Sequence, residues 1–232
     1  SIGSTPDNTP QVRALLFTDL CDSLHVVNRL GDAAAAELFQ QHDRLVLTLQ
    51  QRWRGQQIDR SDGLFMIFKR PADAAGFALD YQQGLLELGA PHRARLLCRA
   101  GLHVGEIMIW TNSTDAIALG AKPVEVEGLA KPLAARLMQM ARPGQLLLSG
   151  VAESMVRRSQ DALSAEGDER VWKSHGRWRF RGGDAELQVV ELGRKGTAPL
   201  RRPRRSAKAW PVLPLWRRPT SLLAEAAALA LV

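Results

Sequence analysis

The spacing of apolar residues predicts that short strands alternate with longer helices in the first half of the chain. Residues 12–20 form a short apolar run ending in an acid, which is typical of a buried strand. Between Asp32 and Trp53, apolar residues recur at helical spacing and predict one amphipathic helix: Leu38, Leu45, Val46 and Leu49. The turn signal at 61–63, followed by the apolar run LFMIF, predicts a hairpin over 56–68.

The second half continues the same alternation. Pro71 suits the first turn of a helix that ends at Gly89, and residues 93–110 suit two strands divided or bent at Gly101 and Gly105. The remaining predicted elements are a helix over 129–140, a strand over 145–149, a short helix to 158 and a hairpin over 178–192; residues 111–127 show no clear period. This order predicts an α+β, ferredoxin-like fold, with helices on one face of a mostly antiparallel sheet.

The charge of the chain is concentrated at its C-terminal end. Residues 193–232 carry nine basic residues and one acid, which exceeds the whole chain's net charge of +7, so the preceding residues are close to neutral. We therefore expect a disordered N-terminus over 1–11, a folded domain over 12–192 and a basic Pro/Arg-rich linker from 193. Because the basic excess lies outside that domain, we expect no nucleic-acid partner.

The last dozen residues, 221–232, are strongly apolar. A membrane span needs about twenty such residues, so a truncated membrane helix and an amphipathic helix both remain open. In the first case, the arginines before it would keep the domain on the cytoplasmic face of the inner membrane.

The two cysteines indicate a reducing compartment. Cys21 and Cys98 lie in apolar surroundings without the spacing of metal ligands, so neither a disulfide framework nor a zinc site is expected. Residues 1–11 are polar and contain no secretory signal. We expect a cytoplasmic location.

Two carboxylates are candidates for a metal site. Asp19 lies at the end of the first strand and Asp62 in the predicted hairpin turn, so both can meet at one edge of a sheet. Carboxylate oxygens suit Mg²⁺ or Mn²⁺, which can hold a triphosphate and activate a hydroxyl group. On spacing alone, two acids near turns are more often solvated or capping residues.

Several stretches resemble, in order, the motifs of the class III adenylate and guanylate cyclases. The Phe-x-Asp-Ile-x-Gly-Phe-Thr strand of that family has its counterpart in residues 17–23, and the Gly-Asp-Gly turn in residues 61–63. The Arg-x-Gly-x-His-x-Gly strand is complete from Arg99 to Gly105. The Ala-Ala-Arg-Leu helix matches 134–137, the Pro-Gly-Gln segment matches 143–145, and the late Lys-Gly hairpin is similar to Arg181-Gly182.

This resemblance, over about residues 12–192, implies a cyclase homology domain with a two-metal site. Asp19 and Asp62 would be the metal carboxylates, and the carbonyl of Leu20 an extra ligand. Backbone N–H groups just after the strand would cradle phosphate oxygens; they belong to Cys21, Asp22, Ser23 and Leu24.

The resemblance also assigns roles to two arginines. Arg99 would face the triphosphate and Arg136 would stabilise charge in the transition state, tasks that suit a guanidinium because it contacts two oxygens at once. Arg181, in the late hairpin, would be a further nucleotide contact. From the residues alone, Arg136 can equally extend to the surface and Arg99 can pair with a carboxylate. His103 is expected to be a hydrogen-bonded core residue.

Three positions depart from the family pattern or align loosely with it. Pro132 stands where the family has an asparagine that orients the ribose, and it offers neither an amide side chain nor a backbone N–H. Ile58 stands where a lysine or glutamate reads the base, with Asp59 and Arg60 adjacent. Glu125 falls at the partner base-reading position, where it would accept from the adenine amino group and favour ATP over GTP.

The expected function is therefore binding of metal–ATP and its conversion to cyclic AMP and pyrophosphate in intracellular signalling. In this family the metal carboxylates come from one subunit, and the base-reading and transition-state residues come from the other, which implies a head-to-tail homodimer. A degenerate ATP-binding regulatory module is the alternative. A guanylate cyclase and a nucleic-acid-binding module have less support.

Overall fold

The computed structural model describes residues 9–60, 63–159, 169–183 and 186–213. The strands are β1 (Gln11–Leu20), β2 (Gln56–Asp59), β3 (Leu64–Phe68), β4 (Cys98–Thr111), β5 (Val124–Glu127), β6 (Leu146–Ser149), β7 (Arg170–Phe180), β8 (Glu186–Arg194) and β9 (Ala209–Pro211). The helices are α1 (Ser23–Leu30), α2 (Asp32–Trp53), α3 (Pro71–Gly89), α4 (Thr114–Ala118), α5 (Ala130–Met140) and α6 (Gly150–Arg158).

The described strands form one sheet in the order β2-β3-β1-β4-β6-β8-β7-β9, with β5 paired to β4. Among these strands, every pairing is antiparallel except that of β4 with β6. The α+β class and the mostly antiparallel sheet are confirmed.

Helices cover both faces of the sheet, which corrects the expectation of helices on one face. In β1, Ala14 and Leu16 pack into the core that α2, α3 and α6 cover, whereas Leu15 between them packs with Ala130 and Ala134 of α5 on the other face. We call the second side the α5 face.

Two glycines of β4 allow α5 to lie directly on the sheet. A Cβ atom at Gly101 would lie 2.3 Å from the Met138 nitrogen, and one at Gly105 would lie 2.7 Å from the Ala130 Cβ. Instead of dividing the strand, these glycines lie within a continuous β4. Because these glycines lack a side chain, α5 can pack against the strand at their positions, and the strand itself is not interrupted.

Three short elements were missed by the hydrophobic pattern. Residues 23–30, expected as a loop, form α1, and the aperiodic segment 111–127 contains α4 and β5. Helices of five to eight residues are too short to show a helical period, and the Val-Glu alternation of β5 covers only four residues. β5 pairs with the distal half of β4, and its Val126 packs against Ile58 and Leu15 on the α5 face.

The expected linker is part of the domain as far as residue 213. β8 extends to Arg194, and β9 pairs with the edge of β7, where Ala209 is fully buried. The linker prediction is therefore wrong for residues 193–213: the segment has few apolar residues, but a sheet edge and a buried polar network fix it. At the other end, β1 begins at Gln11, the last residue of the segment expected to be disordered.

In the described part of the chain, no helix is both long and apolar enough to cross a membrane. The apolar segment 221–232 lies outside the described residues.

Candidate functional site

An ion pair marks the end of β1 on the α5 face. Asp19 and Arg99 are Cα partners across β1 and β4, and the Arg99 guanidinium donates to the Asp19 carboxylate. The two side chains keep 32% and 25% of their surface exposed. A carboxylate and a guanidinium are thus held together within reach of solvent.

Gln139 of α5 connects Arg99 to Arg136. Arg99 Nη1 donates to the Gln139 carbonyl at 3.5 Å, and Arg136 Nη1 donates to the Gln139 side-chain oxygen at 3.0 Å. The structure therefore brings Asp19, Arg99 and Arg136, far apart in sequence, into one chain of contacts.

Gly63, the residue that follows Asp62 in the chain, lies against the end of β1. Asp62 itself lies outside the described residues, but the next residue, Gly63, is described and has φ +106. A Cβ atom at Gly63 would lie 2.1 Å from the Thr18 carbonyl oxygen and 3.4 Å from the Asp19 Cα. Only glycine fits this contact, because both the positive φ and the close backbone exclude a side chain.

The turn between β1 and α1 offers fewer backbone donors than the sequence suggested. The Cys21 N–H already donates to the Leu97 carbonyl at 2.8 Å, so it is not available to phosphate. The first intrahelical bond runs from Val26 to the Asp22 carbonyl, which leaves the Ser23 and Leu24 N–H groups in the open first turn. Asp22 has φ 54 and an exposed carboxylate at this position.

The donor set at this edge has the chemistry that Mg²⁺ and Mn²⁺ prefer. The Asp19 carboxylate and the Leu20 carbonyl are hard oxygen donors, and Gly63 lies against the same strand end. Within the described ranges, no group of three or more His, Cys, Asp or Glu side chains could hold a metal ion. A metal here would depend on Asp19 together with groups from the Asp62 turn.

The two thiols near the site are not nucleophiles at neutral pH. Burial raises the pKa of Cys21, with Asp19 and Asp22 acting in the same direction and the positive charges of Arg99 and Arg204 opposing them. Burial also raises the pKa of Cys98. Both cysteines are free and remain protonated, so they contribute packing to the site.

The fold matches those of solved cyclase domains. The adenylyl cyclase CyaB from P. aeruginosa superposes with a TM-score of 0.66 at 15% identity, covering 79% of this chain and 94% of that one. An adenylate cyclase from Trypanosoma brucei gives 0.64 at 19% identity, covering 89% and 99%. The guanylyl cyclase Cya2 gives 0.62 at 12% identity, covering 82% and 95%.

The chain has the fold of a class III nucleotidyl cyclase catalytic domain. No protein-family model matches the chain, and no curated protein sequence matches it. Among similar structures, the guanylate cyclase domain of RhGC from Catenaria anguillulae is in complex with GTP, and a rhodopsin-guanylyl cyclase of converted specificity is in complex with ATPαS.

Ile58, which the sequence resemblance aligns with a base-reading position, is part of the core. Its side chain is 9% exposed and packs with Leu15, Phe65 and Ile67. The adjacent Asp59 forms an ion pair with Lys122, whose pKa is raised by the hydrogen bond to Asp59. The charged side chain of Asp59, with its partner Lys122, is therefore one residue further along the chain than Ile58.

Glu125 lies close to this ion pair. It is half-buried, is the Cα partner of Trp110, and accepts from the Asn112 side chain at 3.5 Å. Its charge also acts to raise the pKa of Lys122. Sequence reasoning missed Lys122 because it lies in the aperiodic segment.

Pro132 lies in the first turn of α5 and is exposed. A first-turn N–H has no partner within a helix, so proline is accommodated there without a kink. Proline in place of the family's asparagine therefore removes a hydrogen-bonding side chain from the surface without disturbing the helix.

Arg181 lies far from Asp19 in one chain. Asp19 of β1 is paired with Arg99 of β4. From β4, the strand pairings continue through β6 and β8 to Trp172 of β7, which therefore lies at the same end of the sheet as Asp19. Arg181 follows the opposite end of β7, roughly 25 Å further along the strand direction. Its N–H donates to the Lys208 carbonyl.

His103 is a core residue, as the sequence predicts. It is 7% exposed, and its Nδ1 lies 2.7 Å from the hydroxyl of Ser149, which accepts from Ala152 and caps α6. Burial lowers the pKa of His103.

Proposed function

We propose that this domain binds metal–ATP at the Asp19 end of the sheet and converts it to cyclic AMP and pyrophosphate. The Asp19–Arg99 ion pair at the end of β1 is the observation that carries the proposal. It joins an anionic group that suits a metal to a cation that suits phosphate, and it does so in the fold of a cyclase catalytic domain. Arg136 would act on the nucleotide held by Asp19 of the partner chain in the proposed homodimer.

Each side chain has a distinct part in the proposed reaction. Asp19, Asp62 and the Leu20 carbonyl would hold Mg²⁺ or Mn²⁺, which when bound neutralises phosphate charge and activates the ribose 3′-hydroxyl. Arg99 would contact the triphosphate, since its guanidinium has five donors and Asp19 uses only part of them. Arg136 would stabilise the charge that develops at the α-phosphate.

The position of Arg181 supports a site built by two chains. Because Arg181 and Asp19 lie at opposite ends of the strands, one chain cannot bring them to the same triphosphate. A head-to-tail homodimer would place the late hairpin of one chain beside Asp19 of the other. We propose ATP as the nucleotide, with Glu125 accepting from the adenine amino group, in a cytoplasmic setting.

The decisive experiment is incubation of the full chain with Mn²⁺ and ATP, followed by chromatography of the products. We expect cyclic AMP and pyrophosphate in equal amounts, and loss of both in Asp19→Asn. Glu37→Gln is the matched control, because Glu37 is an exposed carboxylate on α2. Absence of cyclic nucleotide at high protein concentration would exclude catalysis, and a parallel incubation with GTP tests the choice of base.

A regulatory module that binds ATP without turnover is the second candidate, and the burial of Ile58 favours it. A core side chain at the base-reading position offers no hydrogen bond to adenine, and Pro132 offers none to the ribose. Calorimetry distinguishes the two functions: saturable ATP binding without product supports the regulatory module, whereas steady turnover excludes it.

A further inference from the structure

The segment 199–204 crosses the end of α5 in an ordered path. A Cβ atom at Gly144 would lie 3.6 Å from the Pro199 ring, and the Arg202 carbonyl accepts from Arg142 Nε at 2.6 Å. The Arg204 N–H then donates to the Met140 carbonyl at 2.8 Å. The segment thus runs antiparallel to residues 140–144 and reaches the C-terminus of α5 at Arg204.

A buried polar network holds this segment in place. Glu191 is fully buried and accepts from the Leu200 N–H at 2.7 Å, from the Gln145 side chain at 2.7 Å and from His175 Nε2 at 2.8 Å. Gln145, also fully buried, donates to the Arg201 carbonyl as well. Because a buried carboxylate is costly without partners, the network favours a single docked path for the segment.

The path brings Arg204 to the proposed nucleotide site. Its N–H binds the carbonyl of Met140, and the neighbouring carbonyl, that of Gln139, accepts from Arg99. The positive charge of Arg204 also acts to lower the pKa of the Cys21 thiol, and Cys21 lies between Asp19 and Asp22 in the chain. The Arg204 side chain is exposed, and in the described ranges no carboxylate pairs with it.

A further cation at this end would stabilise the negative charge of a bound triphosphate. The carboxylates of Asp19 and Asp22 lie beside the turn that would receive phosphate, and the Arg99 guanidinium is already paired with Asp19. We infer that Arg204 is a direct contact for the triphosphate of the bound nucleotide, supplied by the same chain that supplies Asp19. This inference rests on the proposed function, and it assigns a binding role to a segment beyond the last long strand of the sheet.

The test is calorimetric titration of the full chain with Mn²⁺–ATP. We expect Arg204→Ala to weaken ATP binding about tenfold, and Arg204→Lys to restore most of the affinity. The dependence of the dissociation constant on KCl concentration should become shallower in Arg204→Ala, since one phosphate contact is lost. Arg205→Ala is the matched control, because it removes an exposed charge one residue further along.

The outcomes separate this inference from the function on which it rests. If the unaltered chain binds ATP and Arg204→Ala binds it equally well, Arg204 is not a contact and the proposed function stands. If the unaltered chain binds no ATP, both fall. If Arg204→Ala and Arg204→Lys lose affinity equally and both melt at a lower temperature, the side chain supports the fold and the inference is overturned.

Discussion

Asp19 and Arg99 lie directly opposite each other on β1 and β4, and their side chains form an ion pair at the end of the two strands. Both side chains remain partly exposed, so the pair contributes little to folding, about 0 to 1 kcal/mol by comparison with similar pairs. The pair lies close to Gly63 at the end of β1, and we propose that its role is in ligand binding rather than in folding.

Asp19→Asn should separate binding from stability. We expect the free energy of unfolding in urea to change by less than about 1 kcal/mol, because only a partly exposed ion pair is lost. Binding of Mn²⁺ in the presence of ATP, followed by electron paramagnetic resonance, should fall at least tenfold, since an amide is a poorer ligand for a hard cation. Equal Mn²⁺ binding by the variant would remove Asp19 from the metal site.

Arg136→Ala should reduce kcat more than it changes KM. Removing one preorganised donor to developing charge lowers kcat by about 10² to 10³. The helix α5 should remain folded, because the hydrogen bond of Arg136 in the described ranges is to the side chain of Gln139 within the same helix. Steady-state kinetics with Mn²⁺–ATP measure the effect. Arg44→Ala, which removes an exposed arginine from α2, is the control; a rise in KM alone would contradict the assignment.

Gly101→Ala should destabilise the fold strongly. Its Cβ would lie 2.3 Å from the Met138 nitrogen and 2.6 Å from the Ala134 carbonyl oxygen, both backbone atoms that a rotamer change cannot move. We expect the free energy of unfolding in urea to fall by about 2 to 3 kcal/mol or more. Gly183→Ala is the control, since its nearest neighbour lies 3.9 Å away; equal effects would show that α5 does not depend on this contact.

Stability should decrease as the pH falls below about 6.5, partly through His103. Burial lowers the pKa of this side chain in the folded state, so the unfolded chain binds more protons over that range and protonation favours unfolding. One such group contributes at most about 1.4 kcal/mol per pH unit.

Urea unfolding measured between pH 7.5 and 5 tests this dependence. The free energy of unfolding should change less with pH in His103→Gln than in His25→Gln. His25 is the control because its side chain is exposed. Identical slopes in the two variants would exclude His103 as a source.

Truncation should show that residues 197–213 belong to the domain. A chain that ends at Gly196 loses the Leu200 N–H from the buried Glu191 and the pairing of β9 with β7. We expect it to melt at a lower temperature than a chain that ends at Leu213, because a buried carboxylate then lacks a donor. Equal melting temperatures would mean that the segment is a linker, as its composition first indicated.

Local patterns were sufficient to predict the long elements. The α2 and α3 ranges follow from apolar stripes at helical spacing and from the residues that start and end them. Short elements such as α1 and β5 were missed, because eight residues are too few to show a helical period and the Val-Glu alternation of β5 covers only four residues. The sequence shows the glycines of β4 and predicts that they interrupt the strand. That they allow α5 to pack closely on β4 could not be predicted, because α5 follows later in the chain.

The sequence by itself determined the fold class and which residue types are available for phosphate chemistry: Asp19, Arg99 and Arg136 carry the family motifs. Only the tertiary structure decided that Gln139 links the two arginines and that Arg204 reaches the same end of α5. Such contacts join residues that are distant in sequence, and they depend on how sheet, helix and tail pack together. No local pattern of polar and apolar residues encodes that packing.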